Sequence, residues 1–83
     1  MDHIVRTAKQ VGAAIRRVRR AKNLTQSGVG GKTRMRQGTL SRLETGEANT
    51  KLGTLLAVLA ALDLEIVIRP RSKASAKDIE DMF

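Results

Sequence analysis

Leu24-Thr-Gln-Ser-Gly-Val-Gly-Gly-Lys-Thr-Arg-Met-Arg-Gln-Gly-Thr-Leu-Ser-Arg-Leu-Glu44 reads as two short helices joined by a tight turn. Thr25 stands where an N-cap belongs, because its hydroxyl accepts a hydrogen bond from a free backbone N–H of the first turn. Val29 supplies an apolar contact for the first helix, and Met35, Leu40 and Leu43 supply them for the turn and the second helix. Between these apolar points stand Arg36, Gln37, Thr39, Ser41 and Arg42, at the start and along the outer side of the second helix. Long donors and amides projecting from a helix N-terminus suit the major groove of duplex DNA. There guanine offers two acceptors, and adenine a donor beside an acceptor.

The segments on either side fit a helix-turn-helix pattern. Upstream, Thr7-Ala-Lys-Gln10 matches a capping box, the hydroxyl and the amide each satisfying a free backbone donor. Val11, Ala14, Ile15 and Val18 then share one helical face at spacings of three and four, while Arg16, Arg17 and Arg20 fall mostly on the other. Lys22-Asn23 ends this helix, Asn being a residue that tolerates the left-handed conformation. The helix over about Gln26 to Lys32 is weak, since Gly28, Gly30 and Gly31 each cost roughly 1 kcal/mol relative to Ala. Close packing against a neighbouring helix explains one of them at most, so this helix is either held by tertiary contacts or mobile until DNA docks. The third helix runs over about Arg36 to Thr45 and stops at Gly46.

Downstream, Glu47 to Lys51 is a polar loop in which Asn49 or Thr50 is expected to cap the next helix. Leu52, Leu55, Leu56, Leu59 and Leu62 mark that fourth helix, with more leucine than one face needs, and the surplus suggests contact with another subunit. Leu64, Ile66 and Ile68 alternate with Glu65, Val67 and Arg69, and Pro70 closes the run, a period-two strand signal. A lone strand leaves a row of N–H and C=O groups unpaired. The simplest partner is the same strand from a two-fold-related copy. The expected organisation is a flexible leader (1–6), a helix-turn-helix domain (7–63), a dimerisation strand (64–70) and a flexible tail (71–83). Disorder is the default expectation for that tail; the alternative is a segment that orders on a protein partner, anchored by the Met82-Phe83 pair.

Composition narrows the function. Eighty-three residues hold one small domain with a thin core, which favours a partner subunit. The formal net charge is +8 with a pI near 11.2. From Arg16 to Arg42 nine cations (Arg16, Arg17, Arg19, Arg20, Lys22, Lys32, Arg34, Arg36, Arg42) meet no acid. A solvated face is the plain reading of such a run, but its overlap with the helix pair favours an anionic polymer. Phe83 is the only aromatic residue, which argues against single strands bound by base stacking. The absence of cysteine excludes disulfide and thiol chemistry and fits a reducing compartment. No run is long enough to span a membrane, so a cytoplasmic, nucleoid-associated protein is expected. His3 is the sole histidine, and no phosphate-cradling glycine loop or metal-ligand cluster stands out, so neither an enzyme nor a cofactor is expected.

Leu24-Thr-Gln26, Thr39-Leu-Ser-Arg-Leu-Glu44 and the leucine-rich fourth helix resemble the Cro/C1-type (XRE) helix-turn-helix family over about Thr7 to Leu64. The capped first helix and the strand after the fourth are similar to HipB-type antitoxins. The resemblance implies a mainly α, lambda-repressor-like bundle of four or five helices with a C-terminal strand that pairs across a homodimer. It also implies a repressor of its own operon that binds a HipA-like kinase toxin.

The same resemblance assigns roles. Arg36, Gln37, Gly38, Thr39, Ser41 and Arg42 would face base edges of a palindromic operator. Gln26 would bond a DNA phosphate and Thr45 would lie near the backbone, while the charges of Arg16, Arg17, Arg20, Lys32 and Arg34 are expected to attract further phosphates. Leu64, Glu65, Ile66, Val67, Ile68 and Arg69 would form the dimer strand, and Arg19 and Glu44 a structural ion pair. The chain departs from the family at Val29-Gly30, where Leu-Ala is usual, and at Arg34, where glycine is usual. The second departure requires either a strained non-glycine residue or a differently shaped turn. Two other readings are a stand-alone XRE regulator without a toxin, and a protein-interaction module with vestigial DNA binding.

Overall fold

In a computed structural model the described residues are 3–47 and 49–71, with Gln37 described without its side chain. Four helices follow in order: α1 Ala8–Ala21, α2 Gln26–Thr33, α3 Gln37–Thr45 and α4 Leu52–Ala61. The chain is mainly α, and α1 packs on α3 while α2 packs on both α3 and α4. Apart from Arg71, the tail expected over 71–83 lies outside the described residues, as do positions 1–2 of the leader.

The caps show how the sequence sets the helix starts. Thr7 accepts the Gln10 N–H at 3.1 Å, and Thr25 accepts the Gly28 N–H at 2.9 Å. Gln10 turns its amide oxygen back to the Arg6 N–H at 2.6 Å, one residue earlier than a capping box places it. Asn49 and Thr50 do not cap α4. The helix begins at Leu52, so the cap position falls on Lys51, which makes no side-chain bond there. Arg36 likewise occupies the N-cap of α3 in extended conformation without a side-chain bond, since a guanidinium has no acceptor to offer.

All four helices stop in the same way. Arg34 and Gly46 take positive φ directly after α2 and α3, and Asn23 and Asp63 do so after the C-caps of α1 and α4. The next N–H in each case reaches back five residues: Leu24 to the Arg19 carbonyl, Met35 to Gly30, Glu47 to Arg42 and Leu64 to Leu59. This is the wrap that satisfies a helix's last carbonyls. Leu24, Met35 and Leu64 then pack on the core, so three stops are also hydrophobic anchors. Arg34 resolves the departure from the family: the turn keeps its left-handed shape (φ +55°), and a non-glycine residue adopts it.

The core consists of Ile15, Val29, Leu40, Leu43, Val58 and Leu62, all buried. Two glycines decide how α1 meets α3. A Cβ on Gly12 would lie 2.3 Å from the Leu43 carbonyl oxygen, so α1 and α3 touch backbone to backbone. A Cβ on Gly46 would lie 2.7 Å from the Lys9 Cα, seating the end of α3 against the start of α1. In α2 no neighbour demands glycine in this way. Gly31 has nothing within 4 Å, the nearest atom to a Gly30 Cβ is the Met35 carbonyl oxygen at 3.5 Å, and that to Gly28 is its own cap oxygen at 3.2 Å.

Residues 64–71 form no strand among the described residues, although the alternating pattern is present. A ladder needs a second strand, and the described residues of one chain offer none. Leu64 is half-buried against the core, whereas Ile66, Val67 and Ile68 are 48%, 69% and 95% exposed.

Candidate nucleic-acid interface

One ion pair ties the helix-turn-helix together. Arg19, on the buried side of α1, donates from Nε to Glu44 Oε2 at 2.7 Å and from Nη2 to Glu44 Oε1 at 2.9 Å. Its third nitrogen, Nη1, bonds the Leu24 carbonyl at 2.8 Å. The fork therefore joins α1, the α1–α2 loop and the end of α3. Both side chains are nearly covered, and bonds of this kind between charged groups are strong when the fork geometry is met. The hydrogen bonds to Glu44 raise the Arg19 pKa above its ordinary value, against the opposing effect of burial.

The pair also reaches the start of α2. Gln26 Nε2 donates to Glu44 Oε1 at 3.3 Å, which orients the amide at the first position of the helix. The structure thus brings Arg19, Glu44 and Gln26 into one cluster.

Most of the remaining candidate positions that the structure describes lie outward. Arg36, Gly38 and Arg42 are exposed at the head of α3 and along it, Thr39 and Ser41 are half-buried, and the Gln37 side chain lies outside the described residues. Thr45 is exposed, and its hydroxyl donates to the Arg42 carbonyl at 2.8 Å. Lys32 and Arg34 are exposed at the end of α2. A Cβ on Gly38 would meet nothing within 4 Å, so the outer face of α3 is open at that point.

Arg16, Arg17 and Arg20 line a shallow groove of about 390 Å³ between α1 and the end of α3, with Lys9, Glu44 and Thr45. Lys9 is the member that sequence reasoning missed. Its signal was the spacing of Lys9, Arg16 and Arg20, which puts all three on one side of a helix.

A helix-turn-helix domain family matches residues 10–70, and the chain belongs to it. Among solved structures the chain is similar to HipB. A HipB variant in complex with an O2 20-mer is 26% identical, with a TM-score of 0.80 over 88% of this chain and 100% of that one. HipB in an O4 20-mer complex is 28% identical, with a TM-score of 0.79 over 87% of this chain and 100% of that one. A HipA–HipB–O2–O3 complex gives 28% identity and a TM-score of 0.78, again over 87% of this chain and 100% of its counterpart. Comparison with curated protein sequences finds no match. The resemblance to the XRE family read from Leu24-Thr-Gln26, Thr39–Glu44 and the leucine-rich fourth helix stands, and so does the similarity to HipB-type antitoxins read from the capped first helix and the run after the fourth.

Proposed function

We propose that this chain is a sequence-specific, duplex-DNA-binding repressor that works as a homodimer and serves as the antitoxin of a HipA-like kinase toxin. The observation that carries the DNA reading is the Glu44-held Gln26 amide at the head of α2, beside the exposed polar edge of α3. A donor fixed in that place suits a phosphate, and a phosphate contact there sets the register in which α3 enters the major groove. Arg36, Gln37, Gly38, Thr39, Ser41 and Arg42 then face base edges. Arg16, Arg17, Arg20, Lys32, Arg34 and Thr45 flank them toward the DNA backbone. The HipB complexes with 20-mers support this reading by likeness of fold and sequence.

The dimer reading rests on Ile66, Val67 and Ile68, three apolar residues in a row that water covers in the single chain. Pairing with a two-fold copy satisfies their backbone groups and hides part of this surface. The toxin reading rests on similarity to the HipB of a HipA–HipB complex.

A gel-shift titration against the DNA upstream of the chain's own reading frame tests the DNA role. Retarded duplex that withstands scrambled competitor is expected, and Gln37→Ala should relax that preference by about 1–3 kcal/mol if Gln37 pairs bidentately with a base. Equal affinity for operator and scrambled duplex would reject the reading. Co-purification with the product of a neighbouring kinase-like gene tests the toxin role.

A further inference from the structure

Lys9, Arg16, Arg17 and Arg20 line the α1–α3 groove together with Ala13. All five are exposed, and among the described residues none of the four cations takes part in an ion pair. The single acid in the groove, Glu44, is engaged by Arg19 and Gln26. Along α1, Lys9 and Arg20 are eleven residues apart, about 16 Å at the helical rise. Such a row suits a short acidic strip whose apolar side chains can rest on Ala13 and on the arginine stems. The chain carries a strip of this composition. Asp78-Ile-Glu-Asp-Met-Phe83, outside the described residues, has three of the chain's eight acids, no cation and three large apolar residues. Fully extended, six residues span at most about 20 Å, which is enough to cover the row. Seven residue steps separate Arg71 from Asp78, a reach of up to about 23 Å. That is comparable to the two short dimensions of the molecule, 24 and 21 Å.

We propose that the acidic segment 78–83 occupies the α1–α3 groove in the DNA-free protein and has to leave before a duplex can bind, so that the chain restrains its own DNA binding. The competition rests on the DNA-binding reading above, whereas the contact between segment and groove does not. A tether of this length holds the segment at a millimolar effective concentration, an advantage that a separate acidic protein lacks. Exposed charge pairs are individually weak, which keeps the restraint reversible. The device also has a salt signature. A displaced segment takes back counterions while the duplex releases its own, so the intact segment flattens the slope of log K against log salt.

Two measurements on the full chain test this. The first is zero-length carbodiimide cross-linking, which joins a carboxylate to a lysine amine in contact with it, read by peptide mass spectrometry. Lys9 should link to Asp78, Glu80 or Asp81 in preference to Lys22, Lys32 and Lys51, and saturating duplex should abolish the link. The second is fluorescence anisotropy on a mixed-sequence duplex, titrated between about 50 and 200 mM salt. The variant Asp78→Asn/Glu80→Gln/Asp81→Asn should bind about three- to tenfold more tightly at the low-salt end, with a steeper slope. The same three changes should add nothing in a Lys9→Gln/Arg16→Gln/Arg20→Gln background, where the groove has lost its charge. Far-UV circular dichroism checks that the helices persist in every variant. An equal gain in both backgrounds would overturn the docking, since net charge alone then accounts for it. Cross-links spread evenly over the lysines would overturn it too, as would a Lys9 link that survives saturating duplex. A wild-type chain that shows the Lys9 link but ignores the duplex at low salt overturns the DNA-binding reading and the competition, and leaves the contact standing.

Discussion

Gly12 lies directly beneath the Leu43 carbonyl, so close that an added Cβ would sit 2.3 Å from its oxygen and 2.8 Å from that of Glu44. Both obstacles are backbone and cannot swing aside. Gly12→Ala should push α1 off α3 and destabilise the domain by about 1–3 kcal/mol, the usual cost of overpacking. Thermal unfolding checks this, and an unchanged midpoint would disprove the contact.

Gly31 is the opposite case. It is helical, exposed and has nothing within 4 Å, so alanine there restricts the unfolded chain without meeting any atom. Gly31→Ala should stabilise the domain by about 0.5–1 kcal/mol, which shifts the melting midpoint upward by several degrees.

Arg34 holds φ +55° after α2, a conformation that costs a residue with a side chain roughly 1–2 kcal/mol. Arg34→Gly relieves that strain, partly offset by greater freedom in the unfolded state. A net gain of about 0.5–1 kcal/mol in urea unfolding is expected, together with a salt slope for duplex binding shallower by about 0.9. Stability should therefore rise while DNA affinity falls, because a cation stands where stability alone favours glycine.

Arg19 and Glu44 share two short hydrogen bonds in a nearly water-free setting. Arg19→Ala leaves the Glu44 carboxylate covered without its partner, and chemical denaturation should register a loss of about 3–5 kcal/mol. Arg19→Lys keeps the charge but cannot reproduce the fork that also reaches the Leu24 carbonyl, so it should rescue only part of that stability. Full rescue by lysine would show that charge alone matters.

Local chemistry made much of this fold legible in the sequence. Thr7 and Thr25 cap because their hydroxyls precede helical runs, and Asn23 and Gly46 end helices because they tolerate positive φ. Contacts between distant segments were harder to see. A glycine inside α1 reads only as a weak point until Leu43 is seen above it. Asp63 gives little hint of its left-handed φ, which accompanies the docking of Leu64 on the core. The expected caps at Asn49 and Thr50 failed because polar loop residues mark a helix start only to within a residue or two, and α4 begins one position too late for Thr50. The resemblance to a family supplied the Gln26, Arg19 and Glu44 roles, while Lys9 required the three-dimensional groove. The period-two run over residues 64–69 is plain to read, but its structure depends on a partner strand.

In the proposed homodimer, two copies place two α3 helices in successive major grooves. Hydroxyl-radical footprinting of the chain on the DNA upstream of its reading frame, with stoichiometry from sedimentation of the same complex, tests it most directly. The expected result is two chains per site and two protected half-sites about one helical turn, roughly 34 Å, apart. A single chain per site, or one continuous patch of protection without that spacing, would contradict it.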